Sequence, residues 1–122
     1  MLRITTGLAK GKKLNTPNIE GYRGVQEVAK QSVFSIIGDE IIDKVCLDLF
    51  AGSGNVGLEA LSRGAASCDF VDEHPLAVQA IDKNAQNCGF THDQVQIIRN
   101  NAVKFVGNTP NKIGRASCRE RV

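Results

Sequence analysis

From residue 24 onward the chain alternates amphipathic stretches with compact apolar runs. Positions 25, 28, 29, 32, 33, 36 and 37 are mostly apolar and fall at three- and four-residue spacing, which predicts a helix ending near Gly38. Residues 45–50 (VCLDLF) form a nearly continuous apolar run, the pattern of a buried parallel strand. AGSGNVG then reads as a turn, LEALSR as a helix and Gly64 as its C-terminal stop. SCDFV (67–71) predicts a second strand. Pro75 opens a helix running to about Asn87 with Gly89 as its end. VQII (95–98) predicts a third strand and AVKFV a short helix after it. Strand–helix–strand–helix–strand is the start of a doubly wound α/β sheet with right-handed crossovers.

The first 23 residues differ in character. LRITT and KKLNT are short β-prone runs around Gly7 and Gly11, which predict a hairpin with a loose turn. Five basic residues, Arg3, Lys10, Lys12, Lys13 and Arg23, stand there against one acid, Glu20. On composition alone this segment is either a solvated charged hairpin or a surface for phosphates.

At 122 residues the chain suffices for one small domain. No apolar run approaches the roughly 20 residues of a membrane span, and the N-terminus lacks the apolar core of a signal peptide, so a cytoplasmic protein is expected. Cys46, Cys68, Cys88 and Cys118 are widely spaced without a CxxC pair, which fits reduced thiols and argues against zinc. Cys46 reads as a small core residue, and His74 and His92 as singletons at loops or helix starts, with no metal role. The net charge of +2 changes meaning once the last eleven residues, KIGRASCRERV, are considered. They lack apolar periodicity and read as the translation of a sequencing adapter, so 112–122 is expected to be a non-native tail. Four of the 15 basic and one of the 13 acidic residues lie in it, leaving a net of −1 for the rest. Whole-chain basicity is therefore no argument for a nucleic-acid partner.

Candidate chemistry concentrates at residues 45–57, VCLDLFAGSGNVG. Gly52, Gly54 and Gly57 match G-x-G-x-x-G at a predicted strand-to-helix junction, where tight turning and close ligand approach require glycine. Asp72 follows 18 residues after Gly54, at the end of the next strand, placed to accept hydrogen bonds from ribose hydroxyls. Together these point to an adenosine-containing ligand. Asp48 narrows the choice, because a carboxylate inside the first strand would repel a pyrophosphate and favour the cationic methionine end of S-adenosylmethionine. The alternative for Asp48 is a carboxylate satisfied within the core. A phosphate loop is disfavoured, since no Lys-Ser or Lys-Thr follows the glycines.

LDLFAGSG followed by GLEALSRGA, with RITTG, KGKKL and a Tyr-Arg ahead of a helix containing VFSII, resembles the bacterial guanine-amine methyltransferases of small-subunit ribosomal RNA. The similarity covers residues 1 to 106. It implies the N-terminal half of a Rossmann-like S-adenosylmethionine methyltransferase fold, preceded by a basic hairpin (1–23) and a helix, with an incomplete catalytic domain over 24–111. On that likeness Asp48, Phe50, Ala51, Gly52 and Gly54 line the methionine side, Asp72 holds the ribose and Asn101 lies near the adenine. Arg3, Lys10, Lys12, Lys13 and Arg23 then contact ribosomal RNA or the small subunit.

The chain departs from the family pattern in four places. Arg23-Gly24-Val25 stands where Arg-Pro-Thr is usual, and Ala29-Lys30-Gln31 where the helix usually carries Arg-Glu; those positions are expected to touch RNA or to order the N-terminal segment. Asn101 replaces an acid, offering one acceptor oxygen rather than two. The Asp/Asn-Pro-Pro-aromatic motif that handles the target amine is not in the sequence, whose prolines are Pro17, Pro75 and Pro110, so no catalytic residue is assigned. Two rival readings follow: a nicotinamide-dinucleotide oxidoreductase using the same glycines, and a truncated chain without catalysis.

Overall fold

The computed structural model describes residues 2–19, 27–49 and 51–108. Phe50, Arg23 and the expected tail at 112–122 lie outside the described residues. Helix α1 (Glu27–Ile37) runs into a 3-10 turn (Gly38–Ile41) and is followed by β1 (Val45–Leu49), α2 (Asn55–Ser62), β2 (Ser67–Asp72), α3 (Pro75–Cys88), β3 (Val95–Arg99) and α4 (Ala102–Asn108). The three strands form one parallel sheet in the order β1-β2-β3. Val45 pairs with Ser67 and Cys68 with Val95, so the carboxyl ends of all three strands open on one rim.

Local sequence explains the helix limits. Gly54 takes a left-handed φ of 82° and α2 begins on the next residue, so the stretch read as a turn from the sequence already contains the first helical turn. His74 caps α3 with its ring Nδ1 accepting from the Leu76 N–H, and Pro75 occupies the first position, where a missing N–H costs nothing. Gly89 closes α3 in the left-handed conformation with its N–H on the Ala85 and Gln86 carbonyls.

The core lies between the sheet and the helices on it. Leu58 and Leu61 from α2, Phe70 and Cys68 from β2 and Ile81 from α3 are fully buried together. Burial raises the Cys68 thiol pKa well above its ordinary value, which keeps it protonated as a small apolar side chain. Gly57 makes the close packing of α2 on β2 feasible, because a Cβ there would stand 2.3 Å from Phe70 Cε2 and 2.8 Å from Cys68 Sγ.

Two expectations are corrected by the packing. The apolar run of β1 predicted burial on both faces, yet β1 lies at the end of the strand order and is only half-buried, with Leu47 exposed. Among the described residues, the elements packed on the faces of β1 do not cover it fully. In α1 the helix is present but the buried stripe is not the one read from apolar spacing. Lys30 and Phe34 face inward, while Val28, Val33 and Ile36 face outward at 75%, 48% and 86% exposure. Phe34 supplies a large apolar wedge and lies under the Arg63 guanidinium at 4.9 Å, and Lys30 finds enough oxygen partners to be buried.

The N-terminal segment packs on the far side of α2. Arg3 and Lys13 form an antiparallel bridge, with Ile4 N–H on the Lys12 carbonyl at 3.0 Å and Leu14 N–H on the Leu2 carbonyl at 2.9 Å. Ile4, Ala9 and Leu14 are buried against the core. At Gly7 (φ 89°) a Cβ would fall 1.8 Å from the Ser62 carbonyl oxygen, so the segment touches the end of α2 through bare backbone. Ser62 returns the contact, its Oγ accepting the Ala9 N–H at 2.9 Å and donating to the Thr6 carbonyl at 2.5 Å.

Candidate cofactor site

The rim at the carboxyl ends of β1 and β2 gathers the acids and the glycine loop. β1 places Asp48 directly before the loop, and its Oδ2 accepts the Gly57 N–H from the first turn of α2 at 3.0 Å. Ala51 is tied to β2 through its N–H on the Val71 carbonyl at 3.0 Å, and Gly54 N–H closes the turn on the Ala51 carbonyl at 2.8 Å. Gly52 has a positive φ of 59° and donates its N–H to Asp72 Oδ2 at 2.9 Å. Asp72 therefore reaches back from the end of β2 and holds the middle of the loop.

The second oxygen of Asp72 accepts the His74 N–H at 3.0 Å. A carboxylate has about four acceptor directions, so two backbone donors leave room for further donors such as a vicinal diol. Beside it, Glu73 accepts from Asn101 Nδ2 at 3.3 Å, and Asn101 Oδ1 accepts the Lys104 N–H at the start of α4. Asn101 thus sits on the same rim as Asp72, one strand further along, with its amide oriented by Glu73 and α4.

The electrostatics of Asp48 are set by its burial. Burial pushes its pKa up, the Gly57 N–H opposes that, and the charge of Asp72 raises it again, leaving it at about 6 against an ordinary 3.8. A carboxylate so placed is short of positive charge, and a cation entering the rim would meet an acid that gains from its arrival. Cys46, two residues earlier, has its thiol pKa raised by burial first and by Asp48 second, so no thiolate competes for that cation.

Among the expected site residues, Asp48, Ala51, Gly52, Gly54, Asp72 and Asn101 thus occupy one rim. Arg3, Lys10, Lys12 and Lys13 are exposed on the N-terminal segment, behind α2.

Other residues shaping the rim were not singled out from the sequence. Asn84 Nδ2 donates to the Ser53 carbonyl at 2.8 Å and the Asn15 carbonyl at 2.9 Å, while its Oδ1 accepts the Asn15 N–H. It joins the loop, α3 and the N-terminal segment. A signal existed: Ala77, Ala80, Ile81, Asn84 and Ala85 share one helical face, so Asn84 is a polar residue on a buried stripe. Glu73 follows Asp72 directly and had no distinguishing signal.

Residues 2–116 match the family described as conserved hypothetical protein 95. The chain is 33% identical over 111 residues to ribosomal RNA small subunit methyltransferase D of Haemophilus influenzae, covering 91% of this chain and 58% of that protein. It is 33% identical over 114 residues to the protein of the same name in Escherichia coli K12, covering 92% and 57%. Among solved structures, the hypothetical protein TTHA0928 of Thermus thermophilus superposes with a TM-score of 0.78 at 26% identity, over 92% of this chain and 63% of that one. A SAM-dependent methyltransferase from Agrobacterium tumefaciens shares the fold alone, with a TM-score of 0.59 at 21% identity over 77% of this chain and 31% of its own. The chain spans a little over half the length of these curated relatives. With its parallel β1-β2-β3 sheet and interleaved helices it is a partial Rossmann-like methyltransferase fold, and it belongs to the conserved hypothetical protein 95 family, whose relatives include the small-subunit ribosomal RNA methyltransferases D.

Proposed function

We propose that this chain is the cofactor-binding part of a cytoplasmic S-adenosylmethionine-dependent methyltransferase that modifies a guanine exocyclic amine in small-subunit ribosomal RNA. The observation behind this reading is the pair of acids on one rim. Asp72 retains acceptor capacity for ribose hydroxyls, and Asp48, short of positive charge, suits an ammonium or sulfonium and opposes a pyrophosphate. The cofactor supplies the methyl group when bound.

The chain's own residues bind and orient. Asp72 fixes the loop through Gly52 and accepts the ribose, Ala51, Gly52 and Gly54 line the methionine side beside Asp48, and Asn101 meets the adenine edge. Phe50 is assigned to the same site by family likeness. Arg3, Lys10, Lys12 and Lys13, with Arg23 by the same likeness, contact RNA phosphates and set orientation rather than sequence. On this reading the chain divides into a basic N-terminal hairpin (1–23), an incomplete methyltransferase domain (24–111) and a non-native tail (112–122). By this reading the chain alone binds without turning over, since it lacks the residues that align the target amine.

Calorimetric titration with S-adenosylhomocysteine tests the assignment. The wild-type chain binds it, and Asp72→Asn weakens binding about tenfold or more, because a charged acceptor for two hydroxyls is replaced by a neutral one. Preference for a nicotinamide dinucleotide over S-adenosylhomocysteine would overturn the reading.

A further inference from the structure

Lys30 has a side chain with no exposure, in the middle of a helix whose apolar residues partly face solvent. Its Nζ lies 2.8 Å from the Arg3 carbonyl oxygen, 2.7 Å from Asn55 Oδ1, 3.1 Å from Glu59 Oε1 and 3.3 Å from Glu27 Oε1. An ammonium has three protons, and the first three contacts use them. Two of these partners lie at either end of the proposed machinery. Arg3 begins the basic segment, with its backbone held and its side chain exposed, and Asn55 is the first residue of α2, next to Gly54 of the glycine loop.

Glu59 completes the junction. It accepts the Thr5 N–H at 2.9 Å, the Thr5 hydroxyl at 3.0 Å, the Thr6 N–H at 3.2 Å and the Arg63 Nε–H at 2.9 Å, and pairs with Lys30 at 3.1 Å. Burial by itself would raise its pKa, but the Thr5 N–H, Arg63 and Lys30 outweigh that and hold it below the ordinary 4.5. An ion pair with no water around it is stable only with such additional bonds. An apolar residue at 30 would fill the space but could not grip Asn55 and Arg3 at once.

We propose that Lys30 is a positioning residue for the cofactor loop: through Asn55 it fixes the start of α2 beside Gly54, and through the Arg3 carbonyl it locks the basic segment in register with that loop. The inference rests on the reading of residues 51–54 as a cofactor loop. The Lys30 side chain has no exposed surface to offer a ligand, so its effect on ligand affinity runs through Asn55. It also makes the loop and the basic segment one rigid unit across α2.

The experiment titrates S-adenosylhomocysteine into the whole chain carrying Lys30→Met or Lys30→Arg, well below the melting temperature, with circular dichroism confirming a folded protein. Lys30→Met is expected to weaken binding about tenfold, the worth of a charged hydrogen bond that held the loop. Lys30→Arg is expected to restore it to within about threefold, because a guanidinium can again bridge several oxygens. A residue that only stabilised the fold would lower the melting temperature and leave affinity in the folded state unchanged. A folded Lys30→Met chain with wild-type affinity therefore overturns the inference. If Lys30→Met does not fold, Asn55→Ala takes its place, since it removes the loop side of the contact and leaves Lys30 with Arg3, Glu27 and Glu59. Wild-type affinity in Asn55→Ala overturns the proposal equally. Failure of the wild-type chain itself to bind refutes the cofactor reading and this inference with it, and is told apart because no substitution is involved.

Discussion

Replacing Asp48 by asparagine separates what this carboxylate costs the fold from what it contributes to binding. Its pKa of about 6 in the folded chain exceeds the ordinary 3.8, with burial as the leading cause. A raised acid stabilises the fold fully below pH 3.8, and that contribution is lost as pH rises through 6. Two units correspond to about 3 kcal/mol of lost stability at pH 8, of which roughly half is already lost at pH 5. An asparagine at this position would keep an oxygen for the Gly57 N–H and carry no charge, although its amide must also leave water. Asp48→Asn is therefore expected to be about 1–3 kcal/mol more stable than wild type at pH 8, a rise in melting temperature on the order of 10 °C. The gain should shrink toward pH 5. Urea unfolding at both pH values reads the difference directly, and calorimetry on the same samples reads affinity for S-adenosylhomocysteine, expected to fall at least about tenfold. An asparagine variant no more stable than wild type at pH 8, or one whose advantage is equal at pH 5, refutes the account of Asp48 as a desolvated anion.

Gly57→Ala should overpack the interface between α2 and β2, since the new methyl meets Phe70 and Cys68 at 2.3 and 2.8 Å; a loss of about 2–3 kcal/mol in urea unfolding is expected. Glu59 has a pKa held below 4.5, so its contribution is present above pH 4.5 and disappears as pH falls through the lowered value. Glu59→Gln leaves Lys30 buried without its main counter-charge and should cost about 3–5 kcal/mol at pH 7. Its unfolding free energy should also vary less below pH 4.5 than that of the wild type.

The elements with strong local codes were legible from the sequence. Pro75 and Gly89 bracket α3, and the glycine loop announces the β1–α2 junction with its two acids in order. The buried polar junction was not. Lys30 and Glu59 look like ordinary exposed charges on their helices, and only the docking of residues 2–14 on α2 turns those positions inward. The same docking chose the wrong-looking face of α1, leaving Val28 and Ile36 outside. Periodicity reports which face is apolar, whereas burial follows what another part of the chain brings to it. β1 departs in the same sense: its apolar run correctly signalled a strand, but among the described residues its side chains are only half-covered.

The contacts between the N-terminal segment and α2 also set an order of events during synthesis. Thr5, Thr6 and Ala9 bond to Glu59 and Ser62, partners at least 53 positions further along the chain. At about 5–20 residues per second, those partners are made roughly 3–10 s after the segment that needs them. Residues 5–9 are thus fixed only once residues made well after them are in place, and closing so long a loop makes their docking later than the formation of α2 itself. Until α2 forms, the exposed lysines of that segment have none of these contacts to hold their backbone in place.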